Sequence, residues 1–179
     1  DREFRDITMQ MLNKAADLSR AHGFELSAVV LGSGVTSLAE TLADRAGHVI
    51  VYDDPRLQHF DPDLHKEILA ALLAERKPLL TLLGHTHWSL DLAPALAVKT
   101  GYPLATDCVD ILVDTAAAAP PVPKVVRQVY GGKMFARMAF REAASYLVTV
   151  RGGAFPAAQA GEYQAEIVQA PLPPGLTDT

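Results

Sequence analysis

An α/β domain with a mostly parallel sheet is the fold class that this sequence predicts, and three observations carry it. Over residues 1–103, short apolar runs alternate with amphipathic stretches of ten or more residues. Such alternation implies right-handed βαβ units. After residue 103 the rhythm changes: strand-like segments at Leu104–Val113, Lys124–Tyr130, Met134–Phe140 and Ser145–Arg151 follow one another with no helix-length stretch between them. Finally, Gly131-Gly132 joins two of these segments as a tight hairpin, because glycine supplies the positive φ such turns require. The expectation is a three-layer, Rossmann-like domain with an antiparallel hairpin extension.

The elements follow in order. Phe4 to His22 carries apolar residues at Phe4, Ile7, Met11, Ala15 and Leu18, a helical stripe that Gly23 stops. Leu26–Leu31 reads as a short buried strand closed by Gly32-Ser33-Gly34. A stripe at Val35, Leu38, Leu42 and Ala46 predicts a second helix, and His48–Tyr52 a second strand. Asp53-Asp54-Pro55 and Asp61-Pro62-Asp63 bracket a loop, since Asp-Pro pairs favour turns and helix starts. Leu64, Ile68, Leu72 and Leu73 mark a third helix ending before Pro78. Leu79–Leu83 is a third strand, followed by a turn over Gly84–Trp88 and a fourth helix to Thr100, ended by Gly101. Ser89 or Asp91 is expected to cap that helix, with Pro94 in its first turn.

Ala116–Pro123, written AAAAPPVP, reads as a stiff connector. Residues 1–169 therefore form one domain, and 170–179 (APLPPGLTDT) a linker or frayed tail that points toward something missing. The chain opens with a helix, whereas βαβ domains open with a central strand. That strand is expected upstream of Asp1; otherwise a segment such as Ala165–Val168 takes its place.

Composition narrows the function classes. The 179 residues fit one core-bearing domain, typically about 100–200 residues. With 16 basic and 21 acidic residues the net charge is −5, which excludes a non-specific grip on nucleic acid or anionic lipid. No apolar run approaches the roughly 20 residues of a membrane span, and no secretion signal opens the chain. Cys108 is the only cysteine, so neither a disulfide framework nor a cysteine zinc site can form within the chain. The expected setting is the cytoplasm.

Candidate chemistry is sparse. His85-Thr86-His87, with Asp91 nearby, follows a parallel strand, where ligands gather in open α/β sheets. The turn offers too few convergent ligands for an ion, and no metal site is expected. Gly32-Ser33-Gly34-Val35 has the form of a phosphate-binding strand–loop–helix. It lacks the third glycine of a dinucleotide fingerprint and the lysine of a P-loop. Gly32, Gly34, His85 and Thr86 are thus weak cofactor-binding candidates. The negative charge of Asp91 beside a helix start opposes a phosphate there. Arg127, Tyr130, Lys133, Arg137 and Arg141 cluster around the hairpin, while Val126, Met134, Ala136 and Met138 are expected to pack inward. Arg127, Tyr130, Gly131, Gly132 and Lys133, with the sole tryptophan Trp88 in its loop, are the partner-docking candidates, since interface centres favour aromatic residues and Arg. No catalytic constellation stands out. The residues describe a binding module, not an enzyme.

A set of segments runs along the chain: Arg5-Asp6-Ile7-Thr8, Ser27–Gly32, Val51–Leu57 with Phe60-Asp61-Pro62, and Gly84-His85-Thr86 with Asp91-Leu92-Ala93-Pro94 and Leu96-Ala97. Thr106-Asp107-Cys108, Arg127, Tyr130–Lys133 and Thr149-Val150-Arg151 with Ala154-Phe155 complete it. In order and spacing, over residues 5–156, these segments resemble the N-terminal domain of the electron transfer flavoprotein α subunit. The resemblance implies a scaffold domain that pairs with a β subunit and supports electron transfer from flavoprotein dehydrogenases to an acceptor. It also implies FAD on a separate C-terminal domain whose motifs are absent here, and AMP in the β subunit. His87-Trp88 departs from the small residues usual at that turn. The alternative is a stand-alone α/β nucleotide-binding module of the universal-stress-protein type.

Overall fold

The computed structural model describes residues 3–114, 121–157 and 163–176. Its elements are α1 (Asp6–His22), β1 (Ser27–Gly32), α2 (Thr36–Glu40), β2 (His48–Asp53), α3 (Pro62–Arg76), β3 (Leu80–Gly84), α4 (His87–Thr100), β4 (Leu104–Asp114), β5 (Val122–Val129), β6 (Met134–Ala139), β7 (Tyr146–Val150) and β8 (Glu166–Gln169). The strands form two sheets. In the first, β1-β2-β8, every pairing is parallel. In the second, β3-β7-β4-β5-β6, the β3-β7-β4 part is parallel and β4-β5-β6 is antiparallel.

Helix ends obey local chemistry. Gly23 closes α1 at φ 70° with its N–H on the Ser19 carbonyl. The Asp61 carboxylate caps α3, accepting from the Asp63 and Leu64 N–H groups at 2.8 and 3.0 Å. The start of α4 differs from expectation. It begins at His87, so Trp88 belongs to a helix rather than a loop. Ser89 sits inside the first turn, where its hydroxyl accepts from the Thr86 N–H at 2.8 Å. Pro94 falls in the second turn; the Leu90 carbonyl it leaves unpaired belongs to a residue that is itself exposed.

Two further expectations need correction. The stripe from Val35 to Ala46 is helical only over Thr36–Glu40; Thr41, Leu42, Ala43 and Arg45 then bond back three residues in tighter turns. Val35, Leu42 and Ala46 are nevertheless buried, while Leu38 is half-buried and its neighbour Ala39 takes the core position, so the stripe marks a core face and not a helix length. The segment around 145–151 is not part of the antiparallel extension. As β7 it runs parallel between β3 and β4, with all five residues buried. A continuous apolar run is what a two-sided parallel strand requires, and neighbours in sequence need not be neighbours in a sheet.

The helices cover both sheets. Leu12 of α1 clusters with Ala28 and Val30 of β1, while Leu18 and Met11 cluster with Leu80 and Leu82 of β3 and with Val148 and Val150 of β7. On the other side, Leu69 and Leu73 of α3 and Leu92 and Leu96 of α4 meet Leu31, Leu83 and Leu147. Residues 170–176 run alongside: the Ala170 N–H bonds to the Val51 carbonyl, and Leu172 and Leu176 pack against Ile50, Tyr52 and Leu57. The connector expected over Ala116–Pro123 lies largely outside the described residues, and its last two residues begin β5.

Candidate functional site

β3, β4 and β7 run the same way and bring three side chains to one edge. His85 and Arg151 lie just past the carboxyl ends of β3 and β7, and Asp107 comes from within β4 where its parallel pairing with β7 ends. A register shift between Ala105 and Cys108 puts Asp107 in a β-bulge at φ 60°. Bulges re-aim side chains. Here the Asp107 carboxylate meets the Arg151 guanidinium, with Nε–Oδ1 at 2.7 Å and a second bond from Nη2 to Oδ2. Arg151 also donates to the Gln128 side-chain oxygen of β5. The Thr149 hydroxyl accepts from the Asp107 N–H at 2.9 Å and lies 2.9 Å from His85 Nδ1. His85 Nε2 stands 3.9 Å from Asp107 Oδ1.

The Arg151 hydrogen bonds hold the Asp107 carboxyl below the usual carboxylate range, with His85 and Arg127 adding weaker attraction. Asp107 in turn raises Arg151. Arg127 brings charge to this edge, and its buried Nε has no hydrogen-bond partner among the described residues. Next door, burial pushes the Cys108 thiol up to about 11. Thr86, the other candidate on this edge, uses its N–H and carbonyl on Ser89. His87 is already the first residue of α4, and the described residues contain no group of three or more His, Cys, Asp or Glu side chains able to hold a metal ion.

The glycine loop has a resident anion. Asp53, at the end of β2, accepts from the Gly34 N–H at 2.6 Å and the Val35 N–H at 2.9 Å. It also accepts from the Thr36 N–H at 3.2 Å and the Thr36 hydroxyl at 2.8 Å. The Thr36 hydroxyl and then the Gly34 N–H pull the Asp53 carboxyl below its ordinary value. These are the donors a phosphate would need. As folded, the loop does not fit a pyrophosphate.

The hairpin presents the docking candidates. Val129 and Met134 close the β5–β6 ladder, and Tyr130, Gly131 and Gly132 take φ values of 52°, 64° and 84° between them. Tyr130 is 77% exposed and Phe135 64%, with Met134 also exposed. Met134 therefore does not pack inward; Pro123 and Val125 are the buried residues of β5, and Met138 is half-buried against the same cluster as Val125. Lys133, Arg137 and Arg141 are exposed. An open cavity of about 680 Å³ links hairpin and network, lined by Lys14, Asp110, Gln128, Phe135, Arg151 and Phe155 among others. Trp88 lies on α4, stacked on Phe60 with centroids 4.9 Å apart and the Arg5 guanidinium 5.5 Å from its ring.

The polar network was not visible as a unit in the sequence. Asp107, Gln128, Thr149 and Arg151 lie up to 44 positions apart, and only the insertion of β7 beside β4 joins them. The family model for the electron transfer flavoprotein domain matches residues 1–174. The chain belongs to the electron transfer flavoprotein family. It is 28% identical over 156 residues to the electron transfer flavoprotein subunit alpha of Clostridium acetobutylicum, covering 87% of this chain and 46% of that protein. To the corresponding subunit of Megasphaera elsdenii it is 35% identical over 115 residues, 63% of this chain and 33% of that one. It is also 27% identical over 156 residues to the LctC subunit of a lactate dehydrogenase (NAD(+),ferredoxin) from Acetobacterium woodii, covering 87% and 36%. The chain spans less than half the length of these relatives. Among its described residues no helix is long and apolar enough to cross a membrane.

Proposed function

We propose that this chain is the scaffold and partner-docking domain of an electron transfer flavoprotein α subunit, supporting electron transfer from a flavoprotein dehydrogenase to an acceptor. In this reading it is a component of an electron carrier and not a catalyst by itself. FAD is held by a different part of the complete protein, and the β subunit is the docking partner.

The observation that carries the docking role is the β5–β6 hairpin. It extends the parallel core by two antiparallel strands and ends in exposed Tyr130, Met134 and Phe135. Aromatic and sulfur-bearing side chains next to arginines are the composition of interface centres. An isolated domain has no stability reason to expose them together. The nucleotide-module alternative needs the Gly34–Thr36 N–H groups for phosphate, and Asp53 already uses them. We therefore assign that loop a structural role.

Calorimetric titration of the complete α subunit against its β subunit tests the docking role. Tyr130→Ala and Phe135→Ala are expected to weaken association by about 1 kcal/mol or more each, roughly fivefold. Unchanged affinity in the double variant, with a native circular dichroism spectrum, would remove the hairpin from the interface. In the same reading the 179-residue chain purifies without colour; a flavin spectrum that survives desalting would contradict it.

A further inference from the structure

β6 is the outer strand of the five-stranded sheet, and its far edge has no ladder partner among the described residues. Such an edge is a row of unpaired N–H and C=O groups, about 20 Å long for a strand of this length. Proteins ordinarily blunt it with a proline, a bulge, a charge or a covering element. β6 (MFARMA) contains no proline, and its pairings with β5 run from Val129↔Met134 to Lys124↔Ala139 without a shift in register. No residue of β6 is fully buried. Its one protective feature is Arg137, exposed and charged, which repels a like strand and attracts an unlike one.

The pairing sorts the side chains. Phe135, Arg137 and Ala139 stand opposite Gln128, Val126 and Lys124, so these share one face of the sheet. Met134, Ala136 and Met138 lie on the other face. Residues 124–141 hold five cations, Lys124, Arg127, Lys133, Arg137 and Arg141, and no carboxylate, in a chain whose net charge is −5. Lys133, Arg137 and Arg141 are all exposed.

Charge decides the occupant. A second copy would lay β6 against β6. Antiparallel pairing centred on Arg137 would set the two Arg137 side chains opposite each other and each Lys133 opposite an Arg141. Like charges directly opposite destabilise a strand pair. A strand with carboxylates at alternate positions reverses that sign. Its carboxylates would lie beside Arg137 on one face, and apolar residues between them would meet Met134, Ala136 and Met138 on the other. The exposed Tyr130 tip leads directly into β6, so a partner held by the tip stands next to this edge.

We propose that β6 takes up an extended segment of the β subunit, alternately acidic and apolar, as a sixth strand of this sheet. In such strand addition main-chain hydrogen bonds supply affinity and alternate side chains supply selectivity. The inference rests on the reading of the hairpin as the β-subunit docking site, and adds a backbone edge to its side-chain tip.

Residue-resolved hydrogen exchange on the complete α subunit, alone and bound to its β subunit, tests it. Successive residues of an antiparallel strand turn their N–H groups alternately to either side. In the free subunit the amides of 134–139 turned away from β5 are expected to exchange fast. On binding they should slow at least roughly tenfold. Arg137→Glu is expected to weaken association about fivefold. Outward amides that stay fast in the complex would overturn the proposal. Weaker binding by Tyr130→Ala and Phe135→Ala would then show that the tip still docks, whereas unchanged binding would remove the docking reading as well. Unchanged affinity of Arg137→Glu would also overturn strand addition by an acidic segment. So would protection that appears in the α subunit alone and grows with its concentration, since a second copy would then hold the edge.

Discussion

Arg151, just after β7, grips both carboxylate oxygens of Asp107, which the β4 bulge holds at φ 60°. The pair ties the central parallel strands together at the edge where the antiparallel extension leaves the core, since Arg151 also reaches Gln128 of β5. Bidentate guanidinium–carboxylate pairs fix geometry as well as charge.

Asp107→Asn keeps a residue tolerant of positive φ while removing the charge. It is expected to cost about 1 kcal/mol in urea unfolding at pH 7, kept modest because both side chains retain solvent contact. The sign with pH follows from the direction of the shift. A carboxyl lowered in the folded state contributes stability above its unfolded value near 3.9, lost as pH falls through the folded value. The gap between wild type and variant should hold from pH 7 to about 5 and close below about 4. A constant gap down to pH 2 would show that the ion pair is not its source.

Asp53 offers a direct titration. Its protonation weakens four hydrogen bonds at once, so the amide resonances of Gly34 and Val35 should shift with a midpoint below about 3.9. Thr36→Val removes the largest cause of the lowering and should move that midpoint up. A midpoint at the ordinary aspartate value would mean that the loop does not hold the carboxylate in solution.

Gly84 is a point of close approach. A Cβ there would lie 3.1 Å from Ile7 Cδ1, tighter than normal packing allows. Gly84→Ala is expected to destabilise by about 1–3 kcal/mol, as overpacking does. Ile7→Val deletes that methyl and should recover part of the loss, read as a coupling energy in a double-mutant cycle. Strict additivity would place the clash elsewhere.

Cys108 is buried, and its thiol is pushed up to about 11 by burial. Only a minute thiolate fraction exists at pH 7–8. A chromogenic disulfide reagent should leave the native chain unmodified over hours and label it at once in denaturant. Rapid labelling of the native state would reveal opening of the β4–β5 region.

Gly131-Gly132 shows where local sequence sufficed. The pair predicts a hairpin, and both glycines take positive φ at its tip, because only local sterics decide a tight turn. The alternation of apolar runs and helical stripes up to Gly101 likewise contained the α/β class and the approximate positions of α1, α3 and α4. Those features depend on periodicity, which each segment carries alone. What the stripe at Val35–Ala46 could not say was its own conformation: Val35, Leu42 and Ala46 are buried and Leu38 half-buried, but the helix stops at Glu40. Likewise, nothing within Tyr146–Val150 states that it slots between β3 and β4. That placement is settled by which neighbours bury all five residues, and it alone brings Arg151 to Asp107 and Thr149 to His85. The capture of the Gly34–Thr36 N–H groups by Asp53 depends in the same way on β1 lying beside β2, which aligns Gly32 with Asp53. Periodicity is written in single segments, whereas hydrogen-bond partners across a sheet are chosen by the packing of the whole domain.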